Sequence, residues 1–183
     1  MLLGCGLGAC PDTEKITLAL LTENKTPLVL DADGINCVSK HIDVLGKKSC
    51  PVILTPHPGE MSRLTGKTVG EIEASRQETA EAFSRKYSAV TVLKGADTIV
   101  TDGRQSFISY AGNPGMAVGG SGDVLAGITG AFLAQKYTPL ESACTAVFAH
   151  GTAGDHARDE LGEISMLPRD IPNYLKEVFK SVE

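Results

Sequence analysis

Residues 115 to 127 read GMAVGGSGDVLAG, so that Gly119, Gly120, Ser121 and Gly122 stand directly before Asp123 and an apolar run follows. A helix starting on that spot offers unpaired N–H groups and a positive dipole end. Glycines also let the backbone approach an anion closely. Gly120, Ser121 and Gly122, with Gly119 before them, therefore compose a candidate anion hole. Asp123 would stand beside the bound anion, in the first turn where the dipole favours a carboxylate, and could take a proton from a hydroxyl attacking phosphorus. Phosphoryl transfer rests mainly on positioning and charge neutralisation, which this arrangement can supply. A glycine turn with Asp123 merely capping a helix is the plainer reading. The segment is neither a Walker A loop, which needs GK before Ser or Thr, nor a GxGxxG dinucleotide loop. GCGLGA at 4 to 9 matches the latter only loosely.

Other polar residues fall at the ends of apolar runs. Asp31 and Asp33 follow LVL, and paired carboxylates there suit a metal or a hydroxyl, with a helix N-cap role open for Asp33. His57 lies in TPHPGE, where it binds a ligand or satisfies local backbone between two prolines. Glu60 orients Mg²⁺ or its waters, or rests on a helix dipole. Lys94 ends AVTVLKG, near a phosphate or in solvent.

These residues need a scaffold. PLVLDAD (27 to 33), PVILTP (51 to 56) and AVTVLKG (89 to 95) are continuously apolar and read as buried parallel strands. The stretch from Thr68 to Tyr87 reads as one crossover helix, opened by a Thr68/Glu71 capping box and burying Ile72, Ala82 and Phe83. Asp102-Gly103 joins two strands into a hairpin, an antiparallel edge. An apolar helix spans 124 to 135, with Gly127 and Gly130 allowing close packing. Thr138, Pro139 and Glu141 open a long helix through His150, and a last helix follows Pro168. His150 and His156 read as structural. The fold class expected is α/β, with a mostly parallel sheet.

Composition narrows the possibilities. The 183 residues, 42% hydrophobic, suit one domain, 1–183, better than two. A net charge of −5 with scattered basic residues excludes a nucleic-acid stripe, so any anionic ligand must be gripped locally. The apolar runs are too short to cross a bilayer, and MLLGCGLGAC lacks the basic start of a signal peptide. Five cysteines without a CxxC pair fit reduced thiols. A cytoplasmic homo-oligomer with no nucleic-acid or membrane partner is expected.

PVILTPHPGEM (51 to 61), VLKGADTIV (92 to 100), GNPGMAVGGSGDVLAGITGAFLAQ (112 to 135) and AVFAHGTAGD (146 to 155) together resemble the NAD(P)H-hydrate dehydratase family, a branch of the ribokinase-like superfamily. The resemblance implies a three-layer α/β/α fold. It implies that a nucleotide donor, ADP favoured over ATP, and Mg²⁺ serve to dehydrate the S-epimer of NADH or NADPH hydrate by phosphorylating the ring hydroxyl and eliminating phosphate. It makes Asp123 the catalytic base and a substrate contact, together with Gly6 and His57. Lys94, Gly95, Ala96, Asp97, Thr98 and Gly122 become the nucleotide segment. Asn113 and Met116, in the approach to the anion hole, either line the pocket or only pack the loop. Family members commonly read GPGLG where this chain has GCGLG, and carry further strands before it, so an N-terminally incomplete domain is expected. A hydroxymethylpyrimidine- or thiazole-type alcohol kinase of the same superfamily, or an inactive nucleotide-binding fragment, would share the GGSGD machinery.

Overall fold

The computed structural model describes residues 1–182. At its centre six strands stand side by side in chain order: β1 (Leu2–Leu3), β2 (Leu28–Leu30), β3 (Val52–Leu54), β4 (Val90–Leu93), β5 (Thr98–Thr101) and β6 (Ser106–Ser109). The first four are mutually parallel and the last two antiparallel. β2, β3 and β4 are buried along their whole length, which is why their sequences do not alternate.

Right-handed crossovers that always step in the same direction return on the same face of a sheet. Accordingly α1 (Pro11–Glu23), α2 (Ala32–Lys40), α3 (Pro58–Thr65), α4 (Val69–Ala74) and α5 (Arg76–Tyr87) share one side, where Ile35, Met61 and Phe83 meet Leu30, Leu54 and Leu93. α6 (Ser121–Ala134) and α7 (Pro139–Leu161) cover the other, setting Leu125, Ile128 and Val147 against Val29, Ile53 and Val92. α8 (Ile171–Lys180) packs Ile171 and Val178 on the small residues Ala149 and Ala153 of α7. Each fully buried Leu or Ile contributes roughly 1.5–3 kcal/mol, so both helical layers are held mainly by apolar contact. The result is the expected three-layer α/β/α fold with an antiparallel edge. No helix among the described residues is long and apolar enough to cross a membrane.

Four local expectations need correction. The single crossover helix is two, because Ser75 leaves the helical region (φ −147°, ψ 51°) between α4 and α5. The Thr68/Glu71 box is formed, but Arg76 then turns to Glu73 (3.0 Å) and to the carbonyls of Leu93 and Lys94 (3.2 Å each), which a straight helix would not reach. Ala80 is buried in place of Ala82. Gly127 is exposed with nothing near the position of a Cβ, and at Gly130 a Cβ would stand 3.7 Å from Leu2, an ordinary contact, so neither glycine is required for close packing. Finally, Asp31 and not Asp33 occupies the N-cap of α2, while Asp33 accepts the Gly8 N–H (2.8 Å).

The hairpin lies where Asp102-Gly103 places it. Asp102 Oδ1 accepts the N–H groups of Arg104 and Gln105 (2.8 Å each) and so closes the turn.

Candidate active site

Since β1 to β4 run the same way, the residues just past their carboxyl ends converge on one edge of the sheet. Cys5, Asp31, Thr55 to His57 and Lys94 all stand there, and α6 starts beside them. A cavity of about 890 Å³ opens at this edge, lined by Asp31, His57, Glu60, Lys94 and the turn Gly120 to Asp123, among others. Open α/β sheets bind their ligands at this place. A smaller depression of about 620 Å³ between α7 and α8 holds none of the motif residues.

The start of α6 is bare. Its N-cap, Gly120, adopts φ 99°, a left-handed conformation that glycine reaches at no steric cost, and it has no side chain with which to cap. The first-turn N–H groups therefore have no side-chain acceptor; with that of Ser121 taken by the Val118 carbonyl (3.3 Å), those of Gly122 and Asp123 are the ones an anion could meet. The Ser121 hydroxyl does not join them. It is buried and turned toward His150 Nε2 at 3.4 Å, and with its N–H donating to Val118 this residue shapes the turn and offers no free donor. Asp123 is exposed in the same turn.

Opposite lies a charged knot. Asp31, 1% exposed, accepts at Oδ1 from Lys94 Nζ (2.7 Å) and from the Thr55 hydroxyl (2.7 Å), and Cys5 Sγ donates to its Oδ2 at 3.6 Å. Lys94 is also 3.8 Å from Glu60, and a Cβ on Gly122 would stand only 3.2 Å from its ammonium. The lysine is thus neither free in solvent nor paired with one partner; it sits between two carboxylates and the glycine turn.

His57 and Glu60 form a reciprocal cap on α3. His57 Nδ1 accepts from the N–H groups of Gly59 (3.0 Å) and Glu60 (3.3 Å), while Glu60 Oε2 accepts the His57 N–H (2.8 Å). An imidazole that accepts at Nδ1 carries its proton on Nε2, so His57 presents a donor at the cavity. Of the remaining residues named from sequence, Gly95, Ala96, Thr98, Asn113 and Met116 line the cavity, whereas Gly6 and Asp97 do not. The turn from Lys94 to Thr98 is held by Arg76, which donates to the Asp97 carbonyl (3.3 Å), and by the Thr98 hydroxyl on the Gly95 carbonyl (3.0 Å). Sequence reasoning missed Thr55 and Arg76, of which only Thr55, directly after a strand, carried a local signal; His150, read as structural, is buried against Ser121.

Two groups here titrate unusually. Burial, reinforced by Asp31 and then Asp123, pushes the Cys5 thiol up to about 12, whereas exposed Cys10 is lowered by its hydrogen bond with Thr13. Mass-spectrometric mapping after brief iodoacetamide treatment is expected to find Cys10 modified before Cys5, and the reverse order would overturn this view of the site. Burial lowers His150 from 6.5 to about 4, so the folded protein holds a neutral ring. The unfolded chain binds that proton first, and stability is therefore full above about pH 6.5 and falls as pH drops toward 4. The loss amounts to on the order of 3 kcal/mol at the acid end. Urea midpoints across this window are expected to decline in the parent and to decline less in His150→Gln.

A cavity at the carboxyl ends of a parallel sheet, with a glycine-built helix start facing an acidic residue and a lysine, defines a three-layer α/β protein with a candidate anion site at that edge. A model of the NAD(P)H-hydrate dehydratase family matches residues 1–177, and the chain belongs to that family. It is 40% identical over 183 residues to the bifunctional NAD(P)H-hydrate repair enzyme Nnr of Moorella thermoacetica, covering 99% of this chain and 34% of that protein. It is 38% identical over 163 residues to the ADP-dependent (S)-NAD(P)H-hydrate dehydratase of Neisseria meningitidis, covering 87% of this chain and 55% of that one. The Bacillus subtilis ADP/ATP-dependent NAD(P)H-hydrate dehydratase, co-crystallised with ATP and Mg²⁺, superimposes with a TM-score of 0.86 at 30% identity, over 100% of this chain and 64% of that one. A ribokinase-like superfamily protein of Enterococcus faecalis gives 0.81 at 30% identity, over 96% of this chain and 62% of its own, and the fold here is of that kind. The chain spans about a third of the length of the bifunctional relatives.

Proposed function

We propose that this site converts the S-epimer of NADH or NADPH hydrate back to the reduced dinucleotide at the expense of a nucleotide phosphoryl group, ADP being the donor and AMP a product. The observation that carries the reading is the placement of Asp123 and the uncapped first turn of α6 in one cavity with Asp31, His57 and Lys94. The names of the Neisseria and Bacillus relatives support the reaction and the nucleotide.

Hydroxide leaves a ring carbon poorly, so the ring hydroxyl must first be made a better leaving group. Asp123 takes its proton as the oxygen attacks the terminal phosphorus of the donor. Main-chain N–H groups of the turn that Gly120 opens, those of Gly122 and Asp123 first, hold the moving phosphoryl group, and its bond to the nucleotide breaks. The C–O bond of the resulting phosphate ester then breaks with the help of the ring-nitrogen lone pair. Inorganic phosphate departs, and loss of a proton from the adjacent carbon restores the ring double bond. His57 Nε2–H donates to the dinucleotide, and Lys94 lies near the nucleotide segment Gly95 to Thr98.

The charge balance of the cavity fits a divalent cation. Asp31, Glu60 and Asp123 face a single ammonium, Lys94, a surplus of negative charge that would repel a polyphosphate on its own. Oxygens of Asp31 and Asp123 lie within 4.8 Å of each other and suit Mg²⁺ together with donor phosphates, Asp31 through Oδ2, since its Oδ1 holds Lys94 and Thr55. Glu60, whose Oε2 accepts the His57 N–H and lies 3.8 Å from Lys94, would act on the ion's waters. When bound, Mg²⁺ would neutralise the donor phosphates. The neighbouring thiol of Cys5, held protonated, is no ligand for that hard ion. All five cysteines are free thiols, which accords with the cytoplasm as the setting.

The test combines purified chain, NADH hydrate, Mg²⁺ and either ADP or ATP. Recovery of reduced-nicotinamide absorbance, one phosphate released per ring restored, is the expected result. Accumulation of a stable phosphorylated alcohol would replace this reading with a kinase, and nucleotide binding without turnover would reduce the chain to a binding module.

A further inference from the structure

The segment from Ala111 to Gly120 walls the cavity and leads into the first turn of α6, yet its only regular structure is a short 3₁₀ turn, Pro114–Met116. It is fixed by one face of α7. The Asp155 carboxylate accepts from the Gly112 N–H (2.9 Å), from Asn113 Nδ2 (3.1 Å) and from Arg158 (3.3 Å). Asn113 Nδ2 also donates to the Gly154 carbonyl (2.9 Å), and its Oδ1 accepts the Gly115 N–H (3.1 Å). The Ala111 carbonyl stands 2.6 Å from where a Cβ of Gly151 would be, and the Met116 sulfur occupies the place of a Cβ on Gly154. Further along the same segment, Ser121 meets His150. His150, Gly151, Gly154 and Asp155 recur at helical spacing and so share one face, which touches the segment at both ends.

We propose that Asp155 is a positioning residue for phosphoryl transfer: by clamping Gly112 and Asn113 onto α7, it sets where the Gly120 to Asp123 turn stands relative to Asp31 and Lys94. Charge-assisted hydrogen bonds are the strong ones, and they are spent here on a segment that supplies no regular structure of its own. Anion-hole donors act only if their aim is settled before the reaction, and a displacement of about 1 Å can cost roughly 100-fold in rate. The catalytic consequence rests on the phosphoryl-transfer reading of the cavity; the clamp itself does not.

The experiment compares the parent with Asp155→Ala and Asp155→Asn by steady-state kinetics, thermal melting and amide hydrogen exchange. Asp155→Ala is expected to lower kcat roughly 100-fold with KM for ADP changed far less, since the turn grips the group in flight. Asp155→Asn, which keeps an acceptor of the same shape, should recover a substantial part. Exchange at residues 112 to 122 should quicken in Asp155→Ala, while the sheet amides of β3 and β4 keep their parental rates. Retention of kcat within twofold, or faster exchange throughout the chain in proportion to lost activity, would overturn the proposal. If the parent itself dehydrates nothing, the exchange comparison still decides: unchanged rates at 112 to 122 would refute the clamp, and selective quickening would uphold it while the reaction assignment fails alone.

Discussion

Replacing Asp123 by asparagine is expected to cut kcat by roughly 10²- to 10⁴-fold while ADP affinity stays within a few-fold of the parent. Asparagine has the shape of aspartate but cannot take a proton from an attacking hydroxyl. The first turn of α6 would keep its geometry, because its cap, Gly120, contributes no side chain and the proposed anion would be held by main-chain N–H groups. The loss should therefore fall on the chemical step. Initial rates under saturating hydrate and ADP, set beside calorimetric titration with ADP, separate the two quantities. Should kcat remain within tenfold of the parent, Asp123 is not the base, and another acceptor at this edge, Asp31 first, would have to be considered.

Lys94→Met is expected to destabilise the fold by about 3 kcal/mol, because removing one partner of a buried ion pair strands the other. Asp31 is almost wholly buried and, among the described residues, pairs with no second cation; the Thr55 and Cys5 donors remain but carry no charge. In a chain of this size the loss corresponds to roughly 6–12 °C in Tm. Adding Asp31→Asn should restore most of the stability, since the buried charge is then gone as well. It should not restore turnover, which needs the ammonium near the phosphates. Differential scanning calorimetry of the single and double variants measures this coupling. A single variant as stable as the parent would mean that the pair contributes nothing to folding, and that Lys94 serves the nucleotide alone.

The two effects bear on different levels of the same knot. Asp123 stands in the open part of the cavity and can be altered without disturbing the core. Lys94 and Asp31 belong both to the floor of the site and to the packing beneath it, so function and stability cannot be separated there by one substitution. The pairing of carboxylate with ammonium at 2.7 Å neutralises Lys94 and leaves the cavity net acidic, so the proposed anion would depend on the main-chain N–H groups of α6 and on a divalent cation.

Contiguous signals were legible along the chain. The glycine turn, the three continuously apolar strands, the hairpin at Asp102-Gly103 and the capping boxes at Thr68 and Thr138 each depend on residues within a few positions of one another, and each stands where local chemistry placed it. What pairs across the chain was not legible. The break at Ser75 exists because Arg76 finds carbonyls beyond β4, and α1, with weakly patterned faces, gave little periodic signal of its own. No local pattern distinguishes a histidine that caps α3 from one that only meets a ligand; here the ring does the first and stands where it can do the second. Local conformation follows from short-range sterics and hydrogen bonding, so pattern and spacing were enough to place five of the six strands and the glycine turn, while the three layers were implied only by the family resemblance. The meeting of Asp31 with Lys94, of His150 with Ser121 and of Asp155 with Gly112 depends on chain segments 29 to 63 residues apart being brought together by burial of apolar faces, and only the folded arrangement could settle it.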